Sequence, residues 1–269
     1  MMKLSEALHH FGVPLETFAS QDVDTVLLFG AFIGRDDAHL LGEVLGSELP
    51  FVALSTMEDP RLGAFYKYEA GTEEGVLGIL TKALYQGTDP SLEVFFDALD
   101  EGYLSAECNV GEEEALEVAT ALQGRRVMCV LGADLEHHFH APLLAQWLKL
   151  LSHVATVSFV MAGHEATKVQ TLPLELPQPP EVLESFDGTI AYACPALTKE
   201  EESQLLGSRQ FGIAAKVKHG DTVEIHSALG VQVRTFYMDE AMKGTVALLP
   251  YAHVPAQFRY VHSTIKQVG

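Results

Sequence analysis

Cysteine is scarce in this chain. Cys108, Cys129 and Cys194 are three among 269 residues and stand 21 and 65 positions apart. No CxxC-type pair is present to hold zinc, an iron–sulfur cluster or a redox disulfide, so all three are expected to be buried thiols. Base is scarce as well: 17 Lys and Arg face 37 Asp and Glu, a formal net charge of −20. Phosphate recognition depends on clustered Lys and Arg, which excludes a direct nucleic-acid role. Long apolar runs are missing too. Stretches such as Val127 to Leu131 and Val154 to Ala162 fall well short of the roughly 18 to 20 residues that span a bilayer, so no membrane insertion is expected. The opening Met1-Met2-Lys3-Leu4-Ser5-Glu6 has neither the basic patch and apolar run of a secretory signal nor an Arg/Ser-rich transit character, which leads to an expected cytoplasmic location.

What is present is core-forming material. Apolar residues make up 48% of the chain, enough to exclude a disordered tail, and the length suits one large or two ordinary domains. Charge divides unevenly: residues 203–269 hold four acids and seven bases, leaving 33 and 10 for residues 1–202. Two modules joined near residue 200 fit that asymmetry. The first reads as apolar strands alternating with amphipathic helices. Asp24 to Gly30 and Pro50 to Leu54 are strands around a helix led by Asp36-Asp37 and running from Ala38 to Leu45, a βαβ unit with parallel strands. Thr72 is expected to cap a helix opening with Glu73-Glu74 and reaching Leu84. Gly111 with Glu112-Glu113-Glu114 opens another that stops at Gly124. Arg126 to Gly132 is a central strand, followed by a helix over Ala141 to Leu151 and a strand over Thr156 to Met161. The spacing predicts a doubly wound, mostly parallel α/β module over residues 1–171 with helices on both faces.

Four prolines between Leu172 and Pro180 fix φ and remove donors, so residues 172–187 are expected to be an extended connector. Residues 188–269 then read as short strands: Gly188 to Ala193, Ala215 to Val217, Thr222 to Ser227, Val231 to Tyr237 and Thr245 to Leu249. Thr198 and Glu201 spell a capping box for a short helix ending near Gly207. Close strands joined by Gly turns point to a small β-barrel.

The run Ile213-Ala214-Ala215-Lys216-Val217-Lys218-His219-Gly220-Asp221-Thr222-Val223-Glu224-Ile225, followed by Leu229-Gly230-Val231-Gln232-Val233 and Lys243-Gly244-Thr245-Val246, resembles the dinucleotide-binding barrel that ends the large subunits of molybdopterin oxidoreductases. Gly220-Asp221 supplies a tight turn, and alternation of Val223 and Ile225 fills a barrel interior. The segments Tyr68 to Gly75, Gly102 to Glu114, Leu206 to Phe211 and Lys243 to Pro250 are similar to the C-terminal, molybdopterin-oxidoreductase-like part of one subunit of bacterial NADH-quinone oxidoreductase (respiratory complex I), the one whose front end carries Cys-rich iron–sulfur domains. The likeness covers most of the chain. It implies a barrel of the double-psi type and a molybdopterin-type body without the metal cofactor. It also implies that the Cys-rich iron–sulfur front end of that family is missing, and that the partners are other subunits of a respiratory oxidoreductase complex on the inner face of the cytoplasmic membrane.

Several residue groups invite chemistry. Glu136-His137-His138-Phe139-His140 offers imidazoles and a carboxylate after a strand, at the edge where open α/β sheets bind ligands. Adjacent His side chains diverge and the spacing is not HExxH, so solvated loop histidines are expected. Gly30-Ala31-Phe32-Ile33-Gly34 matches no phosphate-loop pattern and reads as a tight turn. Asp36-Asp37, Glu58-Asp59 and Glu112-Glu113-Glu114 are explained as helix-start acids without general acid–base work. Glu107-Cys108 has no nearby His or Lys in sequence to activate the thiol. Arg209-Gln210 is expected to make ordinary hydrogen bonds or a subunit contact. No catalytic, cofactor-binding or metal residue is assigned, and no cofactor. The expectation is a non-catalytic structural subunit or domain in the peripheral arm of a complex I-like oxidoreductase. Two alternatives stand beside it: a small-molecule or nucleotide-binding protein or hydrolase with a pocket around Gly30 to Asp37 and Asp134 to His140, and an assembly or regulatory factor of the respiratory complex.

Overall fold

A computed structural model describes residues 2–62, 65–87, 89–184 and 186–268. The chain forms two compact units, Met1–Ser185 and Phe186–Gly269. In the first, α1 (Leu4–His10) precedes β1 (Thr25–Phe29), the short α2 (Ile33–Asp36) and α3 (Ala38–Gly46). Next come β2 (Phe51–Ser55), β3 (Phe65–Lys67) and four helices: α4 (Glu73–Leu84), α5 (Pro90–Asp97), α6 (Glu101–Cys108) and α7 (Glu112–Leu122). The unit closes with β4 (Val127–Leu131), α8 (Ala141–Val154) and β5 (Val157–Met161). The strands form one sheet in the order β3-β2-β1-β4-β5, with every pairing parallel.

The expected doubly wound layer is therefore present. Period-two alternation sends Leu27, Phe29, Cys129, Leu131 and Phe159 to one face, where they meet α1, α4, α7 and α8. Val26, Leu28, Met128, Val130 and Val160 go to the other and meet Leu40, Leu41 and Val44 of α3. A strand apolar at every position is what burial on both faces requires. The Pro-rich stretch after β5 lies in the first unit, where Leu174 and Leu183 pack on its core.

The second unit has β6 (Ile190–Pro195), β7 (Gln204–Gly207), α9 (Arg209–Ala215), β8 (Thr222–Ser227), β9 (Gly230–Met238), β10 (Val246–Tyr251) and β11 (Tyr260–Gln267). Its six strands close into a mixed barrel, β10-β6-β11-β8-β9-β7, in which β10–β6 and β7–β9 are parallel. Val223, Ile225, Phe236, Ala247 and Leu249 fill the interior at 0% exposure. Gly220, at φ +88°, makes the turn the sequence calls for, and its N–H donates to Phe236 O at 2.8 Å.

Three local expectations fail, one to tertiary pairing and two to the local geometry of the backbone. Thr198 and Glu201 do interact, since Glu201 N–H donates to Thr198 Oγ1 at 3.4 Å. Only a 3-10 turn over Glu201–Ser203 follows, and Gln204–Gly207 is a strand. Leu205 enters the barrel core and pairing with β9 and β10 fixes the segment extended. Ala215 to Val217 is not a strand: Ala215 ends α9, and Lys216 turns the chain at φ +58°. Thr72 does not cap α4 through its side chain; its hydroxyl donates to Glu69 O at 2.7 Å. Among the described helices none is long and apolar enough to cross a membrane.

Candidate functional site

The carboxyl edge of the parallel sheet is where a ligand is sought first, at the point between β1 and β4 where the chain switches direction across the sheet. Gly30 leaves β1 at φ +59°, and Gly132 leaves β4 with its N–H donated to Phe29 O at 2.9 Å. The two glycines are in close backbone contact: a Cβ on Gly132 would stand 1.8 Å from Gly30 O, and one on Gly30 would meet Leu135 Cδ2 at 2.7 Å. Leu135 itself is fully buried. The crevice of the open sheet is thus filled by the protein's own loop after β4.

Beside this plug lies the main cluster of ionisable groups. Glu73 and Glu74 begin α4, yet both carboxylates are buried, at 0% and 1% exposure. The reason is visible in sequence: Gly75-Val76-Leu77-Gly78-Ile79-Leu80 is apolar all round, so α4 is enclosed from its first turn. His138, in the loop between β4 and α8, is also at 0% exposure, and its Nε2 lies 3.0 Å from Glu73 Oε2 and 3.8 Å from Glu74 Oε2. His140 caps the other side, with Nδ1 2.5 Å from Glu74 Oε1. His138 Nδ1 accepts from the His140 main-chain N–H at 3.1 Å. Tyr68, stacked on Phe29, is buried next to the same carboxylates; desolvation, with Glu73 and Asp134 nearby, holds its phenol well above the ordinary tyrosine range. The Tyr68 hydroxyl also donates to the Glu73 carboxylate, whereas Glu74 Oε2 is buried without a hydrogen-bond partner.

This corrects the expectation of solvated histidines for the Glu136–His140 tract. His138 is core, and Glu136 is 7% exposed, accepting from Ser5 N–H and Ser5 Oγ at 3.1 and 2.8 Å to hold the first turn of α1. The partners of His138, Glu73 and Glu74, lie some 65 residues earlier, so no local spacing reports them. The available signal was an acidic pair opening a helix with no polar face.

Glu58-Asp59 does not begin a helix. Asp59 is buried after β2 and accepts from Gly34 N–H at 3.0 Å and from Arg61 Nε and Nη2 at 2.8 Å each, so it latches the turn after β1. Asp37 and Glu112 to Glu114 do sit at helix starts, and Asp37 accepts from Leu40 N–H at 2.9 Å. The three thiols are buried. Desolvation pushes Cys108 up to about 11 and Cys129 higher, so neither supplies a thiolate near neutral pH. In the barrel, Arg209 opens α9 exposed to solvent, and Gln210 Oε1 accepts from Gly244 N–H at 2.7 Å.

No protein-family model and no curated protein matches this chain.

Proposed function

We propose that the chain is a non-catalytic structural subunit, or subunit domain, in the peripheral arm of a complex I-like NADH-quinone oxidoreductase. The observation that carries this reading is the filled switch point. An α/β unit of this topology binds its ligand at the carboxyl edge between β1 and β4, and here Gly30 and Gly132 are in backbone contact under Leu135. Support comes also from the pairing of an α/β layer with a closed mixed barrel, the two-module body implied by the resemblance of Ile213 to Val233 and Lys243 to Pro250. The outer side of β9 adds docking surface: Val231 and Val233 are more than half exposed and point the same way as Tyr237. The acidic residues 1–202 and the slightly basic residues 203–269 supply fields that steer association.

The same plug weakens the small-molecule alternative, whose pocket needs the space that Leu135 occupies. Coexpressed with the cluster-bearing subunits of such an arm, the chain is expected to co-purify at one copy per complex. Alone it is expected to be colourless, to hold no molybdenum, tungsten, iron or pterin, and to reduce no quinone. Tightly retained pterin, or failure to join those subunits, overturns the proposal. Transient, substoichiometric association identifies an assembly factor instead.

A further inference from the structure

We infer that Glu73, Glu74 and His138 form a buried structural site for a divalent metal of the zinc class. One ligand atom from each lies within 4.8 Å of the other two. Bonds of about 2.0 to 2.2 Å in a tetrahedral site place two ligands of one ion about 3.3 to 3.6 Å apart, so side-chain shifts of up to roughly 1.5 Å close the set. Two carboxylates and an imidazole suit zinc or manganese better than magnesium or calcium, which prefer all-oxygen sites.

Two observations beyond the clustering point to a cation. Glu74 Oε2 is buried without a hydrogen-bond partner, with only His138 Nε2 facing it at 3.8 Å, a costly state for an ionisable oxygen that a shared ion relieves. One outer contact has the form metal sites use: His140 Nδ1 meets Glu74 Oε1 at 2.5 Å and holds that carboxylate. The frame is firm, since Glu73 and Glu74 stand on α4, and His138 lies in a turn where its N–H donates to Leu135 O at 3.1 Å and Ala141 N–H donates to its carbonyl at 3.2 Å.

The imidazole defines what binding must change. Because His138 Nδ1 accepts from His140 N–H, the neutral ring carries its proton on Nε2 and gives it to Glu73. Metal at Nε2 takes that lone pair and the ring proton moves to Nδ1. The 3.1 Å contact from His140 N–H then has to open. Occupancy therefore has a readout separate from any activity: a displaced His140 amide resonance together with its neighbours in 137–141. The inference stands apart from the scaffold reading, since a chain that binds metal and ignores respiratory subunits, or the reverse, distinguishes them.

The test uses the full chain freed of metal by chelation, then titrated with zinc by calorimetry and melted with zinc present. One ion per chain is expected, and free zinc at 100 times Kd raises the folded-to-unfolded ratio about 100-fold. Glu73→Gln and His138→Asn should abolish stoichiometric uptake, and His140→Gln should weaken it by roughly 10- to 100-fold as an outer-layer partner. His9→Ala with His10→Ala, both exposed, should change nothing. If the buried variants fail to fold, cobalt(II) in the wild-type chain decides. An intense visible spectrum of four or five ligands supports the site, and a weak six-coordinate one overturns it. Absent stoichiometric uptake, or uptake undiminished in Glu73→Gln and His138→Asn, also overturns it.

Discussion

Gly132→Ala probes the observation on which the functional reading rests. Gly132 has φ −73° and ψ 158°, values alanine adopts freely, so the substitution carries no dihedral penalty and its whole cost is steric. The new methyl would lie 1.8 Å from Gly30 O and 2.4 Å from Ala31 Cα, both main-chain atoms that no side-chain rotation can remove. Relief requires the ends of β1 and β4 to part by roughly 1.5 Å. That endangers the bonds from Gly132 N–H to Phe29 O and from Gly30 N–H to Leu54 O, both 2.9 Å. Two backbone hydrogen bonds at about 1 kcal/mol net each, plus overpacking of about 1 to 3 kcal/mol, give a loss of about 3 to 5 kcal/mol. For a unit of this size the melting midpoint should fall by about 6 to 20 °C. The chain's single tryptophan, Trp147, lies in the first unit, so its fluorescence reports that unit alone. Gly42→Ala, in α3 with nothing within 4 Å, is the control and should gain about 0.5 to 1 kcal/mol. A Gly132→Ala protein within about 1 kcal/mol of wild type would mean slack at the switch point. A filled crevice could then no longer carry the functional reading.

Other consequences are open to direct measurement. Arg126 bonds to Asp24 and lowers its carboxyl to about 2 from an ordinary 3.8. Its stabilising effect is present above the ordinary value and is lost as pH falls through about 2, so Asp24→Asn should flatten the acid limb of stability between pH 4 and 2 in urea melts, and an unchanged limb counts against it. The native chain should leave Cys108 and Cys129 unlabelled by a thiol reagent at pH 8 while denatured chain reacts fully; rapid native labelling would contradict their burial. Phe236→Ala empties the barrel centre beside Phe211 and Gly207 and should cost about 3 to 5 kcal/mol, read by proteolysis of residues 186–268; a loss under about 1 kcal/mol would mean the barrel interior is not packed around that ring.

Much of the architecture was legible because it follows from periodicity. Leu27 and Phe29 against Val26 and Leu28, and Met128 and Val130 against Cys129 and Leu131, declare strands with two buried faces, and the two-faced core uses them so. The turn at Gly220 and the Val223/Ile225 alternation carried the barrel in the same way. Elements set by partners remote in sequence were not legible. Strand β3 is three residues that pair only with β2, and β7 is a strand because β9 and β10 flank it, against the helix start signal just before it. Helices α5 and α6 carry few anchors, Leu92 and Phe96 in one and Leu104 and Cys108 in the other, and joining them needs the shared core. The buried cluster belongs to this class. Glu73 and Glu74 read locally as ordinary acids at a helix start, and His138 as one more loop histidine. Only the packing of α4 on α8 brings them within 4.8 Å. A sequence states which residues prefer the interior, but it states which polar groups must share one only when their spacing is local. The charge of this chain therefore hides its most demanding feature: among 37 acids, Glu73 and Glu74 are buried together against a buried histidine.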